Sequence, residues 1–223
     1  MEKTKIKSIK HVTHDVLRIQ LEKPANFASF QPGQAVDIAV NQPGWDDKLS
    51  CFTFTSLPED NYLEFTIKTY PSRERVTNKL LTLKEGDEIL LKKPFGDIKY
   101  KGDGIFIAGG AGITPFIAIL KDLEKKNKLG NNKLLFANKK REDIIDEEQF
   151  TKLLGKDKFL NVLSDEETDG YEHGYVSEAL IKKLQEPGLD YYYLCGPGPM
   201  MGIVEKQLHE LGIDDEHIVK EGF

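Results

Sequence analysis

The sequence predicts two domains of different class: a small antiparallel β-barrel over residues 1–101, followed by an α/β domain built on a parallel sheet over residues 102–223. Three observations lead there. Through the first hundred residues short runs alternate apolar and polar side chains, the period-two pattern of strands with one face in a core. Past Lys101-Gly102-Asp103-Gly104 the strand runs become apolar and alternate with helical segments, as a parallel sheet covered on both faces requires. A length of 223 residues suits one large domain or two small ones, and the change of rhythm favours two.

In the first domain Leu17, Ile19 and Leu21 alternate with Arg18, Gln20 and Glu22. Similar strand runs occupy 35–40, 52–56, 63–69 and 89–91, separated by breakers such as Pro32-Gly33, Pro43-Gly44 and Glu85-Gly86-Asp87. A helix is expected at 76–83. Closing such strands into a barrel removes the exposed edges of a sheet. In the second domain, strands are expected at 105–108, 134–137, 159–163, 191–195 and 217–219, with helices at 115–128, 147–154, 177–184 and 200–211 between them. Met200, Ile203, Val204, Leu208 and Leu211 fall on one stripe of the last helix, which reads as core packing.

Composition excludes several functions. There are 31 Lys and Arg against 37 Asp and Glu, a net −6, which argues against a nucleic-acid binder. The balance is uneven, with 16 basic against 14 acidic residues up to 101 and 15 against 23 beyond it. The least polar stretch, 105–120, is interrupted at Gly109-Gly110 and Thr114-Pro115 and is too short to span a bilayer. The N-terminus has no apolar secretion core, so a soluble, cytoplasmic protein is expected. Two cysteines cannot build a disulfide framework or a four-cysteine iron–sulfur site. His11 and His14, three apart in a strand, face opposite ways, and no metal site is expected. Cys51 reads as a small buried side chain.

Chemistry is expected beyond the carboxyl ends of the parallel strands. Two glycine-rich turns fall there: Gly109-Gly110-Ala111-Gly112-Ile113-Thr114-Pro115 and Cys195-Gly196-Pro197-Gly198-Pro199-Met200. Each opens a helix, where glycine permits close approach and free N–H groups attract anions. Two such turns on one edge of one sheet point to a dinucleotide cleft.

These residues carry a resemblance. The run 105–116, Ile-Phe-Ile-Ala-Gly-Gly-Ala-Gly-Ile-Thr-Pro-Phe, closely resembles the nicotinamide-domain signature of the ferredoxin–NADP reductase superfamily. Tyr193-Leu-Cys-Gly-Pro-Gly-Pro-Met200 resembles its second signature. Phe52-Thr53-Phe54-Thr55-Ser56 resembles its flavin strand, residues 83–96 the run closing the barrel, and Glu221-Gly222-Phe223 the terminal Glu-x-aromatic ending. Together these span nearly the whole chain in the family's order.

The resemblance implies a flavin-binding barrel followed by an NAD(P)-binding domain, working as a flavin-dependent NAD(P)H oxidoreductase. It implies FAD, with FMN the lesser alternative, and NADH or NADPH as substrate. Phe52 would pack beside the isoalloxazine and Thr53 would serve flavin N5, with Thr55, Ser56, Ile67, Lys68 and Thr69 completing the flavin strands. Arg75, Val76 and Thr77 would open a helix that holds the flavin phosphates, Thr77 being equally readable as a helix cap. Gly109, Gly110, Gly112, Thr114, Ser164, Gly196, Pro197 and Met200 would bind the nucleotide. Cys195 would touch and align the nicotinamide, Glu221 would shape the polarity near N5, and Phe223 would cover the flavin ring. Thr53, Cys195 and Glu221 are thus the expected catalytic group.

Two departures stand out. The family's phosphate-gripping arginine falls on Ser50, next to Cys51, leaving Arg73 or Arg75 to supply charge, and the glycine before the phosphate helix is missing. Ser164 is followed by Asp165, Glu166 and Glu167, which would repel a 2′-phosphate and favour NADH; Lys139, Lys140 and Arg141 stand against that. The acceptor expected from the resemblance is a flavodoxin or ferredoxin. Alternatives are a free flavin, a quinone, an oxygenase component, or a non-catalytic nucleotide sensor that lost flavin at Ser50.

Overall fold

A computed structural model describes residues 1–70 and 75–220. The first sheet holds β1 (Glu2–Thr13), β2 (Val16–Glu22), β3 (Ala35–Val40), β4 (Ser50–Thr53), β5 (Tyr62–Lys68) and β6 (Glu88–Leu91), all antiparallel, in the order β4-β3-β6-β1-β2-β5. A bridge between Phe54 and Phe65 joins its two ends and closes a barrel. Phe54, fully buried, stacks on Phe30 at 4.0 Å and leans on Phe65 at 5.1 Å, so the closing residues are also the centre of the barrel core. The short helix α1 (Val76–Lys79) lies between β5 and β6 and continues as a 3₁₀ turn over Leu80–Thr82.

The second sheet holds β7 (Gly104–Gly109), β8 (Lys133–Asn138), β9 (Phe159–Leu163), β10 (Glu172–His173), β11 (Tyr191–Cys195) and β12 (Ile218–Val219). All are parallel, in the order β10-β9-β8-β7-β11-β12. Helices α2 (Thr114–Lys125), α3 (Glu147–Leu154), α4 (Glu178–Leu184) and α5 (Gly198–Glu210) cover it. Ile105 and Ile107 enter the core on one face, Phe106 and Ala108 that on the other, which explains the unbroken apolar run. The order departs from β7 in both directions, so the crevice between β7 and β11 is the topological switch point where such sheets bind ligands.

Several expectations need correction. Strand β1 is twelve residues long, pairs with both β2 and β6 and ends at Thr13, so His14 lies in the following turn beside Asp15 and Asp143 rather than across a strand from His11. Strand β4 starts at Ser50 and ends at Thr53 rather than running 52–56. Cys51 is exposed, because its side chain alternates outward from β4. On α5, Val204 and Leu208 are buried, but Ile203 is 59% exposed, so the apolar stripe is narrower than its spacing suggests.

The domains share a core. Val16 of the barrel and Ile98 of the connector pack with Phe116, Ile119 and Phe106 of the second domain. Polar contacts surround this seam: Arg18 to Asp146 at 2.5 Å, Lys121 to Glu64 at 3.4 Å, Lys125 to Glu59 at 2.7 Å and His14 to Asp143 at 3.7 Å.

Candidate active site at the domain seam

Strand β7 delivers the first glycine-rich turn and β11 the second, and the turns touch. A Cβ on Gly112 would lie 2.2 Å from the Cys195 carbonyl oxygen; one on Gly109 would lie 2.4 Å from Met200 Sδ and 2.9 Å from Pro197 Cδ. Gly109 and Gly112 are therefore small because the turns interlock. Gly110 differs, with φ +51° and open space beside it, a left-handed position that glycine adopts without strain. The 3₁₀ turn Gly110–Ile113 also lies against β5 of the barrel, and it runs directly into α2 through the buried Thr114 and Pro115. Cys195, half-buried, ends β11 at the same edge, followed by Gly196 and the exposed Pro197.

On the barrel side Phe52 and Thr53 are half-exposed on β4. Thr55 and Ser56 follow but cannot touch a cofactor, with side chains 0% and 1% exposed. Thr55 Oγ1 donates to Glu64 Oε1 at 3.1 Å and Ser56 Oγ accepts the Glu64 backbone N–H at 3.0 Å, so these hydroxyls position the strand. Ile67 points into the barrel core. Lys68 pairs with Asp15 at 2.8 Å, and Thr69 donates its hydroxyl to the Asp15 carbonyl at 2.9 Å, which fastens the end of β5 to the β1–β2 turn.

Thr77 is the second residue of α1, not its cap; Arg75 holds the cap position without a capping side-chain bond and is exposed. Thr77 Oγ1 is buried with no hydrogen-bond partner among the described residues, and the N–H groups of Val76 and Thr77 precede the helical ladder. That is the environment a phosphate ester fits. Ser50 opens β4 with no cationic side chain of its own, while Lys48 and Lys79 sit over the Trp45 ring at 4.2 and 5.7 Å. Arg73, Glu221 and Phe223 lie outside the described residues. What is described fits FAD: an open strand edge, an orphaned hydroxyl at the phosphate helix and flanking positive charge.

The far side of the cleft is built by the loops after β8 and β9. Their backbones are joined, Ser164 N–H to Asn138 O at 3.0 Å and Asp165 N–H to Lys139 O at 2.8 Å. Ser164 Oγ donates to Asp165 at 2.6 Å, and the Arg141 N–H donates to Glu166 at 2.9 Å. A cavity of about 600 Å³ opens here, lined by Lys140, Arg141, Glu142, Glu147, Asp165 and Glu166. Carboxylates outnumber cations two to one around it. Arg141 is shared between Glu147, at 3.7 Å, and the Tyr171 ring, 5.4 Å from its centroid. Burial and the adjacent Glu147 carboxylate push the Tyr171 phenol up to about 12, so it stays protonated and donates to Glu147 at 2.5 Å.

Two residues at this edge escape the sequence reading. Asn138, only 9% exposed, ends β8 with its Nδ2 unpartnered among the described residues, and Tyr175 stands 80% exposed just after Gly174, which bonds the end of β9. Their signal was position: a polar residue closing an apolar strand, and an aromatic beside a glycine.

Comparison with known proteins bears on the whole arrangement. Residues 1–134 match the FAD-binding domain family and residues 106–206 the oxidoreductase NAD-binding domain family. NADH-cytochrome b5 reductase 1 of Neosartorya fischeri is 30% identical over 222 residues, covering 90% of this chain and 71% of that protein. Among solved structures, the CS-b5R domains of human Ncb5or superpose with a TM-score of 0.87 at 27% identity, over 99% of this chain and 69% of that one. The flavohem-like FAD/NAD-binding domain of nitric oxide dioxygenase from Vibrio cholerae gives 0.86 at 25% identity, over 99% and 98%.

Proposed function

This chain belongs to the ferredoxin–NADP reductase superfamily as an FAD-dependent NAD(P)H oxidoreductase, and on that premise we propose that it takes NADH as donor and passes electrons to a small haem protein of the cytochrome b5 type. The observation that carries the reading is the contact of both glycine turns with each other at the switch point, with the first also against β5. It brings the nucleotide edge against β5, which the Phe54–Phe65 bridge joins to the end of the flavin strand. When bound, NADH would supply a hydride and FAD would provide the two-electron store between that donor and the acceptor.

The chain's own residues supply geometry. Thr53, half-exposed on β4, orients the reactive edge of the flavin through its hydroxyl. Cys195, presented by β11 and packed against the seam core, aligns the nicotinamide. The shared apolar seam excludes water from the transfer. The acidic rim of the cavity favours NADH: Asp165 and Glu166 repel a 2′-phosphate and accept hydrogen bonds from free ribose hydroxyls. The haem acceptor is preferred over a flavodoxin or ferredoxin because relatives alignable over most of this chain are NADH-cytochrome b5 reductases. The proposal also assigns the reaction to the cytoplasm, where Cys51 and Cys195 stay reduced.

The test uses protein reconstituted with FAD. Stopped-flow reduction of the flavin by NADH and by NADPH, at one ionic strength, is followed by mixing with cytochrome b5, flavodoxin and ferredoxin. Faster reduction by NADH and turnover with the haem protein support the proposal. An equal or better NADPH rate overturns the donor, and turnover with flavodoxin or ferredoxin alone overturns the acceptor.

A further inference from the structure

We propose that Lys121 is a positioning residue for hydride transfer, holding the helix that starts at the nicotinamide-side turn at a fixed distance from the flavin strand. This deepens the reading above and rests on it. Helix α2 begins at Thr114, directly after the Gly110–Ile113 turn, and Lys121 lies about two helical turns, roughly 10 Å, further on. There its ammonium crosses the seam, donating to the Thr55 carbonyl oxygen at 3.1 Å and meeting Glu64 Oε1 at 3.4 Å. Thr55 is two residues beyond Thr53. One rigid helix thus links the turn that would carry the nicotinamide to the strand that would carry the flavin edge.

The socket that receives Lys121 is unusually well fixed. Glu64 is only 5% exposed. Its carboxylate accepts from Thr55 Oγ1 at 3.1 Å and Gln20 Nε2 at 3.0 Å, its carbonyl accepts the Thr55 N–H at 2.8 Å, and its N–H donates to Ser56 Oγ at 3.0 Å. A carboxylate this far from water needs a cation. Arg18 lies 3.9 Å away but directs its other nitrogen to Asp146 at 2.5 Å, which leaves Lys121 as the closer charge. A socket bonded at backbone and side chain transmits a displacement of α2 to β4 rather than absorbing it. The neighbouring pair Lys125–Glu59 also spans the seam, but both side chains are about half exposed, and such pairs hold little.

The experiment compares Lys121→Met, Lys121→Arg and Lys125→Ala. Misalignment by about an ångström can slow a transfer on the order of a hundredfold. We expect Lys121→Met to slow flavin reduction at saturating NADH by at least about tenfold, with the Kd values for NADH and FAD, from separate titrations, nearly unchanged. Lys121→Arg restores most of the rate, and Lys125→Ala keeps all of it. In the FAD-free protein, Lys121→Met should speed amide exchange at Thr55. A wild-type reduction rate in Lys121→Met, unchanged exchange at Thr55, or a rate loss matched by lost affinity or by unfolding each overturns the inference. Failure of NADH to reduce the wild-type flavin overturns the functional reading instead.

Discussion

Arg18 on β2 and Asp146 at the start of α3 meet across the domain seam at 2.5 Å, with side chains 22% and 6% exposed. Asp146 also holds a left-handed backbone, φ 56°, which costs most residues strain but is tolerated by Asp and Asn. Losing Asp146 removes the short charge-assisted bond but leaves Arg18 partly exposed and 3.9 Å from Glu64. Asp146→Ala should therefore destabilise the protein by about 1–3 kcal/mol. Asp146→Asn, which keeps the backbone preference and a hydrogen-bonding oxygen, should cost clearly less. Urea unfolding followed by Trp45 fluorescence measures both; equal losses would mean the pair is not what holds this corner.

The glycines of the first turn should rank by what surrounds them. A Cβ on Gly112 collides with the backbone of Cys195, which cannot give without parting the turns. Gly112→Ala is expected to cost about 2–3 kcal/mol and to abolish nucleotide binding. Gly109→Ala meets the movable Met200 thioether and the edge of the Pro197 ring rather than backbone, and costs less. Gly110→Ala has open space and pays only for its positive φ, about 1 kcal/mol. Thermal melts with and without NAD⁺ test the order, which fails if Gly110→Ala is the most damaging.

Thr53 and Thr55 give a paired test of chemistry against scaffold. Thr53→Val should slow flavin reduction by about tenfold or more with stability intact. Thr55→Val breaks the hydroxyl's bond to the buried Glu64 and should cost about 1–2 kcal/mol of stability. A Thr53→Val enzyme reduced at the wild-type rate removes that hydroxyl from the mechanism.

Donor choice should respond to charge at the cavity. Replacing Asp165 with Asn and Glu166 with Gln together removes two carboxylates and releases the Arg141 N–H from its ionised partner. The kcat/KM for NADPH should rise by about tenfold, with that for NADH within a few-fold. A fall for both would mean these acids hold the loop rather than select the nucleotide.

What the sequence made legible follows from where each signal resides. The β7 run and its glycine turn are local, so period and composition reveal strand, turn and helix together. Strand β1 was read only around His11 because Lys3, Lys5 and Lys7 line its exposed face and two irregularities in its pairing with β2 break the alternation. Strand β10 exists only through its pairing with Val162 and Leu163, which no local pattern encodes. The same limit governs the site. Phe52 and Thr53 emerge from a motif, but Thr55 and Ser56 belong to the scaffold because of Glu64, eight to nine residues away across a strand pair. Lys121 could not be foreseen, since its partners lie in the other domain.

The connector between the domains bears on how such enzymes are recombined. Phe95 exchanges both backbone hydrogen bonds with Ala35, Ile98 is fully buried in the seam, and the Tyr193 hydroxyl binds the N–H groups of Lys101 and Gly102 and the Gly102 carbonyl. Its slack is used up at three points. A chimaera spliced at residue 101, the obvious boundary by composition, would bring a foreign barrel to a β11 whose tyrosine expects this connector. Transplanting the connector with the second domain, and repairing its Phe95 pairing on the new host, is the cut that keeps both halves in register.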